Sequence, residues 1–165
     1  MKAVSITQGM RDSAEIESNR YKNRLNNSIR SGQGTMAGCL GEEIFHTTYP
    51  FMARENTSQY DFAYVSPSGK VITFDVKTKE RTVHPQPYYD CSVNVMNGKQ
   101  DVDYYVFAQV LDTYEIGWLL GFIKASDYFE RATLHLKGSL DPSNRFTFHC
   151  DTYNMPISDL REFKK

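Results

Sequence analysis

The sequence predicts an α/β fold, a central mixed β-sheet with helices on its faces, and three features of the chain lead to it. Apolar residues recur at helical spacing through residues 11–46, strand-like runs follow from Tyr60 onward, and a turn of defined chemistry joins the first two strands. At 165 residues the chain has the usual size of one domain, and 40% hydrophobic residues beside 24% charged ones make a composition that folds. One domain is expected over 1–165, made of an N-terminal helical arm, 1–34, and a core with a C-terminal extension, 35–165.

Each element has its own signal. Residues 11–30 carry Ile16, Tyr21, Leu25 and Ile29 at the spacing of an amphipathic helix, ended by the breaker run Ser31-Gly32-Gln33-Gly34. Thr35 suits the cap of a second helix from Met36 to about His46, in which Met36, Leu40 and Ile44 recur every fourth residue. Tyr60 to Val65 and Lys70 to Lys77 read as strands flanking the turn Ser66-Pro67-Ser68-Gly69. Residues 80–100, with Pro85, Pro87, Asn97 and Gly98, read as a long irregular crossing. Tyr104–Leu111 and Ile116–Ile123 are two further strands, Ala125–Arg131 a short helix, Thr133–Leu136 and Arg145–Cys150 late strands, and Ile157–Phe163 a closing helix.

Composition narrows the function. The formal net charge is −1, so the chain lacks the overall basic field of a protein that coats nucleic acid. Any such affinity has to be local. The candidate is the stretch containing Arg20, Lys22, Arg24 and Arg30, which has no acidic residue within it and reads equally as a phosphate-contacting patch or a solvated helix face. No apolar run is long enough to cross a bilayer, and Met1 to Met10 lacks the pattern of a signal peptide. No membrane partner and a cytoplasmic location are therefore expected. The three cysteines, Cys39, Cys91 and Cys150, are widely spaced and read as free buried thiols.

The hairpin carries the chemistry. Pro67 suits the second position of a type I turn and Gly69 the left-handed position after it, which pairs Ser66 with Lys70. Counting outward in that register sets Asp61 opposite Asp75, and strand alternation puts Lys77 on the same face. Opposed like charges destabilise a sheet, so this pair points to a bound cation. Two carboxylates suit a hard divalent ion such as Mg²⁺, and a neighbouring lysine can orient or help deprotonate an attacking water. An acid-x-lysine triplet alone says little, and Glu162-Phe163-Lys164 is a second one. Asp75-Val76-Lys77 differs by following the apolar run Val71 to Phe74 and facing another Asp across a turn.

These residues resemble the PD-(D/E)xK nuclease superfamily, the restriction-endonuclease-like fold, over about Gly38 to Lys79. Gly38-Cys39-Leu40-Gly41-Glu42 is similar to the Gly-x-x-Gly-Glu helix of its Holliday-junction-resolvase-like and homing-endonuclease branches. Tyr60-Asp61 stands in the place of the Pro-Asp motif, with Tyr60 where the proline would be, and Phe74-Asp75-Val76-Lys77-Thr78 in that of the strand ending in acid-x-lysine. The resemblance implies a Mg²⁺-dependent DNA endonuclease, with Mn²⁺ able to substitute. It implies that Asp61 and Asp75 bind the metal with the Val76 carbonyl, that Lys77 acts on the water, and that Glu42 holds a second cation or orients the site. Helical geometry leaves Glu43 open as the alternative, since it lies nearer the stripe of Met36, Leu40 and Ile44. Such an enzyme is expected to act on DNA as a homodimer, two sites cutting two strands. By analogy of size it suits a phage-encoded nuclease working in the host cytoplasm.

Other constellations are weak. His149-Cys150 has the wrong spacing for one zinc, and His46, His84 and His135 stand in unrelated contexts. No glycine-rich phosphate loop or serine or cysteine nucleophile motif occurs. Tyr88-Tyr89 near Arg81 and His84 reads either as a base-stacking group or as core filling. Two other functional classes stay open: a non-catalytic nucleic-acid-binding or assembly module of the same fold, and a structural domain in which lysines such as Lys77 and Lys79 pair Asp61 and Asp75.

Overall fold

The computed structural model describes residues 1–21, 35–96, 100–141 and 145–163. A six-stranded mixed sheet runs in the order β1 (Lys2–Ser5), β7 (Ile116–Lys124), β6 (Tyr104–Leu111), β4 (Val71–Arg81), β3 (Phe62–Val65) and β2 (Ala53–Arg54). Neighbours are antiparallel except β4 and β6, which run parallel. A parallel pair needs a crossover, and residues 82–103 supply it. A second, three-stranded sheet, β5 (Asp90–Asn94), β9 (Thr152–Pro156) and β8 (Thr133–His135), comes partly from that crossover. Helices α1 (Gln8–Tyr21), α2 (Thr35–Thr48) and α3 (Ala125–Arg131) complete the α/β architecture.

Strand alternation divides the large sheet between two cores. Phe62, Val76, Val106, Ala108 and Val110 pack with Met10 and Ala14 of α1 and Leu40, Ile44 and Phe45 of α2. On the opposite face Tyr105, Phe107, Trp118 and Leu120 pack with Val93 of β5, Tyr128 of α3 and Met155 of β9. Burying a residue of this size contributes about 1.5–3 kcal/mol, so both layers stabilise β4 and β6 between them.

Five expectations need correction. A strand, β1, and the start of α1 at Gln8 precede the expected helix; β1 is a short edge strand with little apolar alternation to reveal it. Ile16 is 56% exposed, so it lies off the buried stripe. The crossing at 80–100 contains β5, whose buried Cys91 and Val93 alternate with Ser92 between flanking prolines and glycine. Residues 145–150 form no strand beyond a single Leu140–Thr147 bridge, and Phe146 is 49% exposed. The real strand, β9, buries the polar Thr152 and Asn154 and so lacks a hydrophobic signature. Finally, Ile157–Asp159 is one 3₁₀ turn in place of a helix, after which Arg161 exchanges backbone hydrogen bonds with Phe122. Tyr21 ends α1, and the expected helical positions Leu25 and Ile29 lie outside the described residues.

Candidate active site

The site forms where β3 and β4 part. From the turn, Ser66 N–H donates to Lys70 O at 2.9 Å, Gly69 adopts φ +81°, and the ladder runs from Val65–Val71 to Phe62–Phe74. The chain then leaves that register at Asp61. Its N–H donates to Phe74 O at 3.0 Å, and its carbonyl accepts from Glu55 and Asn56 N–H at 2.8 and 3.2 Å. Asp61 thus sits at a fork and not in a regular cross-strand pair with Asp75. Its carboxylate Oδ2 accepts the Val76 N–H at 2.7 Å, capping a donor that β3 no longer reaches.

Asp75 and Lys77 share the face beyond the fork. Asp75 is 4% exposed, and Lys77 Nζ lies 2.7 Å from its Oδ2 as an ion-pair contact that is not a directed hydrogen bond. Gln100 bridges them from the loop before β6: its Nε2 donates to Asp75 Oδ1 and its Oε1 accepts from Lys77 Nζ, both at 3.4 Å. That loop is tied down on both sides. Asp101 N–H donates to Gln59 Oε1 at 2.9 Å, and Asp103 Oδ2 accepts from Thr73 N–H at 2.9 Å and from its hydroxyl at 3.1 Å.

Helix α2 delivers the glutamates because a glycine lets it approach β4. A Cβ on Gly41 would stand 1.9 Å from Thr78 Oγ1, whereas one on Gly38 would meet nothing within 4 Å. Beyond Gly41, the two acids have different partners. Glu43 accepts from Ser13 Oγ at 2.8 Å and Arg54 Nη1 at 2.6 Å, while Glu42 has Arg54 Nη2 at 3.3 Å. Glu43 is therefore the better satisfied, and Glu42 is the one that electrostatically faces Asp75 and Asp61.

Charge crowding follows. Burial above all, then the Asp75 and Glu42 carboxylates, push the Asp61 carboxyl well above the usual range, against the Val76 N–H and Lys77. Burial likewise raises Glu42 to about 7, with Asp75 and Glu43 adding to it and Arg54 opposing it. Among the described residues, the cations in ion-pair contact with Glu42, Glu43 and Asp75 are Arg54 and Lys77, and Lys77 also acts on Asp61. Crowded acids that resist ionising are what a bound cation relieves. Among the described residues no three Asp, Glu, His or Cys side chains surround a single point. Mg²⁺, however, is commonly held by one or two carboxylates and keeps several waters, so the donor set of Asp61, Asp75 and the Val76 carbonyl fits it chemically.

The remaining expected residues lie apart from this cluster. Arg20 lies in the last turn of α1, exposed and paired with Glu17, while Lys22, Arg24 and Arg30 lie outside the described residues. Glu162 pairs with the N-terminal amine at 3.0 Å, and Lys164 of the same triplet is also outside them. His46, His84 and His135 each lie against a separate ring, Phe62, Trp118 and Phe148. The three cysteines are free, and Cys39 and Cys91 are buried. No described helix is long and apolar enough to cross a membrane. Sequence reasoning missed Gln100 and Arg54; Gln100 is a lone amide in a loop, and Arg54 lies in a two-residue strand, so neither had a periodic signal. No protein-family model matches the chain, and no characterised protein is significantly similar to it in sequence.

Proposed function

We propose that this chain is a Mg²⁺-dependent DNA endonuclease with a PD-(D/E)xK-type site and a restriction-endonuclease-like core. The single observation that carries the reading is the buried Asp61 carboxylate at the β3/β4 fork, crowded by Asp75 and Glu42 with Lys77 alongside. A bound Mg²⁺ would supply Lewis acidity and a water of lowered pKa. Asp61, Asp75 and the Val76 carbonyl would hold the cation, and Glu42 would hold a second or orient the first. Lys77 has three donors. One reaches Gln100 while the ammonium rests against Asp75 as an ion pair, leaving donors for the attacking water or a phosphate oxygen. Water adds to phosphorus in line, the opposite P–O bond breaks, and the departing oxygen takes up a proton. A homodimer would present two such sites to the two strands.

A specific observation favours a second reading. Lys77 already neutralises Asp75 at 2.7 Å, as a domain with a merely structural salt bridge would require. Cleavage of plasmid, linear duplex and four-way-junction DNA with Mg²⁺, Mn²⁺ or EDTA separates the readings. Metal-dependent cleavage by the wild type, lost in Asp75→Ala and Lys77→Ala with unchanged circular dichroism, is expected. Binding without cleavage would leave a nucleic-acid-binding module, and neither activity would leave the structural domain. Sedimentation with and without DNA tests the dimer.

A further inference from the structure

The strand that carries Asp75 and Lys77 continues with a different kind of charge. Lys79 and Arg81 follow at two-residue steps on the same face of β4, so the three cations recur about every 7 Å. That repeat is comparable with the separation of successive phosphates on an extended nucleic-acid strand. Lys79 Nζ and Arg81 Nη2 both donate to one backbone carbonyl, that of Asp90, at 2.8 and 3.4 Å. Among the described residues neither cation forms an ion pair with a carboxylate. Asp90 turns its carboxylate toward Asn154, whose Nδ2 donates to it at 3.3 Å. Burial first and then the Arg81 guanidinium push Lys79 down to about 8, against the weaker opposing pull of Cys91, Asp90 and Asp141. None of these three is within ion-pair distance of it among the described residues. Two partly buried cations side by side without a carboxylate partner are costly unless an anion joins them.

Beyond Arg81 lies an aromatic step. The guanidinium stands 4.7 Å over the Tyr89 ring, and Tyr89 meets Tyr88 edge-on at 5.0 Å. Tyr89 packs into the core between the sheets, but Tyr88 is 72% exposed. Its backbone is nevertheless fixed. Tyr89 N–H donates to Gln86 O at 3.0 Å, Ile157 N–H to Tyr89 O at 2.9 Å, and Ser158 N–H to Pro87 O at 2.8 Å. An exposed ring on an anchored, proline-flanked segment loses little entropy when something stacks on it.

The crevice between β4 and β5, lined by Lys77, Lys79, Arg81, Ser92 and Gln109, has a volume of about 20 Å³. That admits a water but not a nucleotide. A nucleotide could therefore lie only across the mouth of the crevice and not within it.

We propose that Arg81 and Tyr88 form a subsite for a single-stranded nucleotide flanking the Asp75–Lys77 site, with Arg81 and Lys79 facing its phosphate and Tyr88 stacking on its base. The assignment rests on the reading of the chain as a nucleic-acid enzyme, but the binding it describes needs no cleavage. Stacking on an exposed ring requires an unpaired base, which selects a single strand over a duplex.

The test is fluorescence anisotropy of a labelled oligothymidylate in EDTA, which prevents metal-dependent turnover. Tyr88→Ala should weaken binding roughly 5- to 100-fold, the range of one lost base stack, whereas Tyr88→Phe should bind as the wild type. Arg81→Ala should lower the magnitude of the salt slope by about 0.7, one phosphate contact on a single strand. Because Tyr88 is exposed and Arg81 only partly buried, circular dichroism should be unchanged in all three. Failure of the wild type to bind, equal binding by Tyr88→Ala, or a duplex competing as well as the single strand would each overturn the subsite. Loss in Tyr88→Ala together with no Mn²⁺-dependent cleavage by the wild type would leave the subsite standing and remove the nuclease reading. Cleavage with indifferent Tyr88 and Arg81 variants would do the reverse.

Discussion

The two ends of one face of β4 hold opposite surpluses of charge. At Asp75 and Lys77 the strand's own acid and base pair at 2.7 Å, and Asp61 and Glu42 then tip the neighbourhood negative. Two residues on, Lys79 and Arg81 stand side by side and share a backbone carbonyl, with no carboxylate ion pair among the described residues. The two ends therefore suit opposite charges: the crowded acids a cation, and the paired cations an anion. A nucleic acid accompanied by a divalent ion would bring both, which is why the proposed chemistry and the proposed subsite belong on one strand.

The sharpest way to break that comparison is to cut each end separately. Asp75→Ala and Lys77→Ala should each lower cleavage by about 100-fold or more, and Asp75→Ala should leave binding of an oligonucleotide in EDTA largely intact. Arg81→Ala should do the opposite, weakening binding while keeping the stabilisation of the protein by Mn²⁺. Equal losses of both properties in both variants would show that the two ends act as one.

A smaller effect tests how the acidic end is assembled. Gly41→Ala forces α2 away from Thr78 and should cost about 1–3 kcal/mol, read as a lower denaturation midpoint together with weaker metal response as Glu42 moves. Gly38→Ala, three residues earlier in open space, should stabilise by roughly 0.5–1 kcal/mol through helix propensity. Equal effects at the two glycines would remove the close α2–β4 approach from the account.

The pH dependence of the metal-free protein sharpens the electrostatic half of the comparison. Glu42 keeps its proton to about 7 in the folded chain against 4.5 ordinarily, and Asp61 shifts in the same direction. Between those values the folded state binds more protons than the unfolded one, so stability should fall as pH rises from about 5 to 8, by roughly 3 kcal/mol at most from Glu42. Saturating Mn²⁺ should flatten or reverse the trend, because the ion competes with those protons. Urea midpoints at several pH values, with and without metal, measure it; a metal-free midpoint that climbs with pH would contradict the crowding. Gln100→Ala should have the smallest effect, less than a tenfold loss of cleavage, since both its hydrogen bonds are long at 3.4 Å.

Much of this was legible where physics is local. The turn chemistry of Pro67 and Gly69 gave the register through Phe62–Phe74, periodicity located α2, and β6, β7 and α3 fall where the local sequence reads as strand, strand and short helix. Sequence spacing also brought Asp75 and Lys77 to one face. It could not reveal that Asp61 leaves the ladder to cap the Val76 N–H, because that depends on Glu55 and Asn56 taking its carbonyl. It left Glu42 and Glu43 ambiguous, and only the contacts of Ser13 and Arg54 distinguish them. Strand β9 stayed hidden because Thr152 and Asn154 are buried polar residues, with Asn154 satisfied by Ser92 at 2.5 Å.

Four melting curves test the cation demand of the acidic end most directly: wild type and Asp61→Asn at pH 8, each with EDTA or with Mn²⁺. Asparagine keeps a carbonyl to accept the Val76 N–H but removes the crowded charge, so in EDTA the variant should melt higher, by roughly 2–4 °C for each kcal/mol relieved. Mn²⁺ should raise the wild type by mass action and the variant much less, bringing the two together or reversing their order. A variant that melts lower than the wild type in EDTA, with Mn²⁺ shifting both alike, would contradict the metal site and leave Lys77 and Asp75 as a structural salt bridge.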